Sequence, residues 1–283
     1  MATNRVTASR SAARGGVDPG RPVQALALAA GLLLGLPVLV LVVRALANGS
    51  LLGVLGSGVV IDALALSLGT TIVSMVVMVL LGTPLALLLA RRRFRGQVLL
   101  ETVIDLPIVL PPSVAGLALL LVLGRRGLLG PALDIVGIEL PFTTVAVVIA
   151  QTFVAAPFYI RSARTGFAMV DHDLEDAARV DGASERQLLA RITIPLASTA
   201  LAAGLVMSWA RALGEFGATI MFAGNVEGHT QTLPLVVYGE FQAGNLDTSV
   251  AAAAILVVAA FGVLTAVRIL HWGRALDIRA GGS

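Results

Sequence analysis

"EDAARVDGASERQLLARITIPLA", residues 175–197, interrupts a chain that otherwise avoids charge. Residues 175–191 carry seven charged side chains, whereas the whole protein is 57% hydrophobic and 13% charged. Soluble domains average about 25% charged residues, so this composition is that of a membrane protein, and a segment this charged belongs in water. Asp171 or Asp173 can cap a short helix over 174–180, and Gly182 suits the left-handed position that ends it. Ser184 with Gln187 three residues on makes a capping-box pattern for a second helix, and Pro195 falls near the start of the next apolar run. The product is helix, tight turn, helix. On the first helix Leu174, Ala177, Ala178 and Asp181 share one face, with Glu175, Asp176 and Arg179 ringing it with charge. Such a face is either a close docking surface for a partner or the side of a solvated interhelical loop.

Outward from this elbow the chain reads as membrane spans. A crossing takes about 20 apolar residues in a helix, because lipid leaves the backbone to satisfy its own hydrogen bonds. Six stretches qualify: 23–43, 63–90, 106–123, 143–160, 194–222 and 248–267. The third contains Pro107, Pro111 and Pro112 and is expected to kink or start irregularly. "ALA" at 45–47 mimics a signal-peptide cleavage site, but a signal core runs about 7–15 residues and this one is longer, so a retained helix is expected. With the N-terminus inside, sixteen arginines fall in cytoplasmic segments and only Arg44, Arg125 and Arg126 fall outside. Both termini and the elbow then face the cytoplasm, by the positive-inside rule.

Composition also excludes chemistry. Cysteine is absent, which removes disulfides and thiolate sites. All 20 basic residues are arginine, so no Walker loop with its lysine exists here, and Schiff-base chemistry is excluded as well. His172, His229 and His271 stand apart at non-ligating spacings, so no metal site is expected. The basic balance fits cytoplasmic loops of a membrane protein rather than nucleic-acid binding.

At this point the residues resemble a known pattern. Asp176, Ala177 and Ala178, then Gly182 after three residues, then Ile192, Ile194 and Pro195 after nine more, are similar to the E-A-A, G, I-x-L-P signature of importer-type ABC transporter permeases. Asp176 stands for the first Glu and Ile194 for the Leu. The resemblance implies an all-α polytopic membrane protein with six transmembrane helices and the type I ABC importer permease fold, in a bacterial or archaeal inner membrane. It implies that Leu174, Asp176, Ala177, Ala178, Gly182, Ile192 and Pro195 belong to a coupling segment, 171–195, that docks on a separate ATPase. ATP is bound by that partner, and this chain carries no cofactor.

"WARALGEFGATIMFAGNVEGHTQTLPLVVY" at 209–238 and "LPIVLPPSVAGLALLLVLGRRGLLG" at 106–130 resemble the molybdate, tungstate and sulfate branch of these permeases, with "MFAGN" and "TQTLPL" tilting towards molybdate. The resemblance covers about 60–272, leaving a tail at 1–22, a first helix at 23–47 and a C-terminal tail at 273–283. It implies a second copy of the chain, two cytoplasmic ATP-binding subunits, an extracytoplasmic oxyanion-binding protein and surrounding lipid as partners. Rival readings are import of tungstate or sulfate/thiosulfate by the same mechanism, a proton-driven transporter, and a membrane-embedded enzyme using Glu101, Asp105 or Glu215.

Arg211 and Glu215 stand inside the fifth stretch, where a charge facing lipid costs about 2.5–3.5 kcal/mol. At i, i+4 they can pair on one helix face, as a gate or cavity wall or as an internal brace. Gly214 and Gly217 beside them permit close packing. An oxyanion path needs weak hydroxyl and amide donors rather than a trap, which makes Ser113, Thr219 and Asn225 candidates, each also readable as packing or turn polarity. Glu101 and Asp105 are expected to meet the arginines at 91–95. Trp209 reads as packing, Trp272 as an interface anchor, and the outer loop at 223–247 as a receptor contact.

Overall fold

The computed structural model of the protein describes residues 20–280, with backbone alone at 50, 52, 55 and from 266 onward. The arginines at 5, 10 and 14 and the side chains of His271 and Trp272 lie outside the described residues. Every regular element among those described is helical. In chain order these are α1 (Gly20–Ala47), α2 (Ser50–Leu55), α3 (Gly58–Arg91), α4 (Gln97–Val109), α5 (Pro112–Leu123), α6 (Gly130–Ile135) and α7 (Thr144–Ala168). There follow α8 (His172–Val180), α9 (Glu185–Leu188), a π-helical turn (Leu189–Thr193), α10 (Ile194–Leu213), α11 (Gly217–Phe222), α12 (Leu233–Gln242) and α13 (Leu246–Ala280).

Five helical stretches among the described residues are long and apolar enough to span a membrane: Gly20–Ala47, Gly58–Arg91, Thr144–Ala168, Glu185–Leu213 and Leu246–Thr265. The third expected span is not one helix. Leu110 and Pro111 are extended, with ψ of 133° and 135°, so α4 ends and α5 starts afresh with Pro112 in its first turn, where a missing N–H costs nothing. The fifth expected span also differs. It starts earlier, at the Ser184 capping box, and stops at Leu213, because Gly214 caps it and the chain leaves the helix through Glu215 and Phe216.

The centre of the bundle is α7, which packs on α3 and α10. Small residues set the α7–α10 distance. A Cβ on Gly166 would stand 2.6 Å from Ala200 Cβ, and one on Gly204 would stand 2.7 Å from Ser162 Cβ. Ser162 and Gly166 on one helix therefore mesh with Ala200 and Gly204 on the other, each pair four residues apart and on one face. Ser162 Oγ donates to Ala200 O at 2.7 Å and Ser208 Oγ to Ala155 O at 3.1 Å across the same seam. Tyr159, Phe167 and Ile160 close the core against Ala86, Leu89 and Ala197.

Away from the elbow, α5 and α11 pack on α7 through Ala115, Leu119, Ala146, Ala150, Ala218 and Phe222. The expected outer loop at 223–247 is largely structured instead. Thr230, Thr232, Leu233, Leu235 and Val236 are buried, and Ser67 Oγ on α3 accepts from Leu233 N at 2.8 Å. "TQTLPL" is thus an anchor of α12 onto α3 and α13.

Candidate functional site

The elbow has the expected local construction. Asp171 accepts from Asp173 N at 3.0 Å and caps α8, Gly182 turns the chain at φ +89°, and Ser184 and Gln187 form the reciprocal capping box. From there the π-helical turn and α10 follow without a break, with Pro195 in the first turn of α10. Whatever displaces α8 and α9 therefore pushes on the end of a membrane-length helix.

One face of α8 points away from the bundle. Leu174 is 51% exposed and Val180 87% exposed, with Ala177 and Asp181 open between them, Ala178 half-buried, and Met169 nearby 79% exposed. Ile192 is half-buried and Pro195 exposed. The face expected from the spacing is present, and Val180 extends it.

The charge around that face is arranged differently from the expected ring. Glu175 is turned inward and is 4% exposed, since two residues along a helix rotate it about 200° from Ala177. Its Oε1 accepts from Arg91 Nη2 at 2.6 Å and from Thr193 Oγ1 at 2.7 Å. His172 meets the same arginine, with its Nδ1 3.0 Å from Arg91 Nη1. One carboxylate thereby ties α8 to the end of α3 and to the π-helical turn before α10. Sequence reasoning missed this role of Glu175 and Thr193. The signal available was angular, an acid opposite the apolar face.

On the solvent side Arg179 bridges Asp176 and Glu185, both at 2.8 Å. Hydrogen bonding from Arg179 holds the Glu185 carboxyl below the usual glutamate range, and Glu185 and then Asp176 raise the Arg179 guanidinium in turn. Glu101 and Asp105 do not meet residues 91–95. They pair with Arg164 at 2.9 Å and Arg161 at 2.8 Å, because α4 returns alongside α7.

The second cluster lies where the two interrupted spans touch. A Cβ on Gly217 would come within 2.7 Å of Pro112 Cβ, and one on Gly116 within 2.6 Å of Ala218 O, so α5 and α11 cross at backbone distance. Arg211 Nη1 and Glu215 Oε2 are 2.6 Å apart, the acid 1% and the base 28% exposed. They do not share one helix face as expected, since α10 has ended at Leu213. Glu215 reaches forward to accept from Ala218 N at 2.7 Å and caps α11, spanning the break. Of the polar candidates, Ser113 is exposed beside Gly217, Thr219 is buried with no hydrogen-bond partner for its Oγ1 among the described residues, and Asn225 is exposed past the other end of α11, near Gly239. Trp209 is buried, as expected. Among the described residues no group of acids and histidines is arranged to hold a metal ion.

Residues 82–271 match the family model described as binding-protein-dependent transport system inner membrane component, and the match spans both the elbow and the double break. The chain belongs to that family. Among its relatives are the putative molybdenum transport system permease protein YvgM of Bacillus subtilis, 43% identical over 70% of this chain and 88% of its own, and the molybdenum transport system permease protein ModB of Escherichia coli, 38% identical over 70% and 87%. A bacterial ABC transporter involved in the import of the acidic polysaccharide alginate has the same fold, with a TM-score of 0.73 at 17% identity over 88% of this chain and 93% of that one. The permease is therefore a multi-pass membrane protein and a transport component.

Proposed function

We propose that this permease is the membrane subunit of an ATP-driven molybdate importer. It works as a homodimer with two ATPase subunits on the cytoplasmic side and an oxyanion-binding protein outside. The observation that carries the reading is the elbow: an exposed, weakly apolar helix face, clamped by a buried carboxylate to α3 and continuous with α10. In that reading Leu174, Asp176, Ala177, Ala178, Gly182, Ile192 and Pro195 form the contact that takes up ATPase movement, and α10 conveys it to the double break. Rigid-body rocking of this kind is a common route to alternating access. The arginine bias supports an elbow and termini on the cytoplasmic side of the cell membrane. The molybdenum-transport relatives support the choice of cargo.

At the break, Arg211, Glu215, Ser113, Thr219 and Asn225 are the residues proposed to line or gate the path. A single arginine already neutralised by Glu215 is a weak attractor for a divalent oxyanion, which favours passage over retention. The test is reconstitution of the permease with its ATPase and binding protein in sealed vesicles. ATP-dependent molybdate accumulation that sulfate competes against only in large excess is the expected result. Accumulation driven by a pH gradient without ATP, or equal uptake of sulfate, would overturn it.

A further inference from the structure

Between the elbow and the flank of α3 lies a cavity of about 570 Å³ that coupling alone does not require. Its floor is apolar, made by Pro84, Leu87 and Leu88 on α3 and by Leu188 and Leu189 at the start of the π-helical turn. Its rim is charged. Most of that charge is internally cancelled, because Arg91 pairs with Glu175 and Arg179 pairs with Asp176 and Glu185. Arg92 is different: it is exposed on the rim and has no ion pair among the described residues.

We infer that this cavity is a binding site for one anionic phospholipid, its phosphate on Arg92 and its acyl chains along Pro84, Leu88 and Leu188. Depth and charge point to that ligand together. Pro84 stands eight residues before Arg92, about 12 Å along the helix axis, the distance from a headgroup phosphate into the acyl region. Pro84 and Leu88 lie one turn apart on an exposed face of α3, and Arg92, also exposed, caps its C-terminus with its N–H on Leu88 O, so a single amphiphile can lie along all three. A soluble phosphate would meet the arginine but gain nothing from five apolar side chains. A zwitterionic lipid would gain the chains but bring no net charge to Arg92. Because Glu175 and Leu188 line the same cavity, a bound lipid would wedge the elbow against α3 and stiffen it. The placement at the cytoplasmic leaflet rests on the orientation proposed above.

The experiment is native mass spectrometry of the full permease–ATPase complex released from nanodiscs containing equal phosphatidylglycerol and phosphatidylcholine. Phosphatidylglycerol is expected to remain bound, one per permease chain. Arg92→Ala should lower its retention about fivefold, the weight of one interfacial arginine, while Arg92→Lys retains it. Leu88→Glu, which puts an acid on the floor, should expel it in a chain that still assembles with the ATPase. Glycerol phosphate in excess should not displace it. Equal retention of both lipids, no change in Arg92→Ala, displacement by glycerol phosphate, or loss of lipid on adding the ATPase to the free permease would each overturn the site. The readout needs no cargo, so its failure and a failure of molybdate transport are separable.

Discussion

Glu175 on the elbow helix and Arg91 at the end of α3 are joined at 2.6 Å, with the acid 5% and the base 16% exposed. Thr193 adds a hydrogen bond to the same oxygen from the π-helical turn, so three segments distant in sequence meet on one carboxylate. A π-helical turn widens the helix by one residue per hydrogen-bonded ring, which is a common way to redirect one side chain, here Thr193.

Removing that carboxylate leaves Arg91 half-buried beside a vacated site. Glu175→Ala is expected to destabilise the elbow by about 3 kcal/mol, at the lower end for a broken buried pair because Arg91 keeps some water. Hydrogen exchange across 172–193 should rise well above that of α7. Glu175→Gln retains an acceptor for Thr193 and should lie between. Unchanged exchange in Glu175→Ala would remove the clamp from this account.

Gly182 sits at φ +89°, where an L side chain costs about 1–2 kcal/mol, and a Cβ there would meet nothing within 4 Å. Gly182→Trp is therefore tolerated by the fold, while its bulk projects from the elbow. ATP hydrolysis by the assembled complex should continue and molybdate accumulation should fall at least tenfold. Full transport by that variant would argue against an ATPase contact at the turn.

At the double break, Glu215 both neutralises Arg211 and caps α11. Glu215→Ala removes both and should cost about 3 kcal/mol in thermal unfolding, whereas Glu215→Gln keeps an acceptor for Ala218 N and should cost less. If the two variants melt together, the cap contributes nothing.

The α7–α10 seam has no room for added volume. Gly204→Leu must displace Ser162 and is expected to lose about 3 kcal/mol or more, since overpacking in a close helix contact is not relieved by the mobile end of a side chain. Gly69→Leu on α3, where nothing lies within 4 Å, is the matched control and should melt like the parent.

The Arg179–Glu185 bridge gives the elbow a pH dependence. Because the folded carboxyl is held below its ordinary value, its contribution is fully present above the usual glutamate range of about 4.3 and is lost as pH falls through the lowered value. Exchange at 179–188, corrected for intrinsic rates, should be flat from neutral pH to about 5 and rise below about 4. Glu185→Gln should abolish the rise.

The sequence alone determined whatever depends on neighbours a few residues apart. Apolar run length placed the long helices, and Ser184, Gln187, Asp171 and Gly182 settled the elbow, because caps and left-handed turns are local geometry. The prolines at 111 and 112 announced the break after α4, whereas the stop at Gly214 was hidden by an apolar run that continues to Phe222. Only the tertiary structure decided which charge meets which. Glu101 and Asp105 chose Arg164 and Arg161 over the arginines nearer in sequence, and Glu175 chose Arg91 across 84 positions. An ion pair forms with whichever opposite charge the helix packing brings within reach, and that packing is set by small residues such as Gly166 and Gly204 meshing between helices, which no periodicity along one helix reveals.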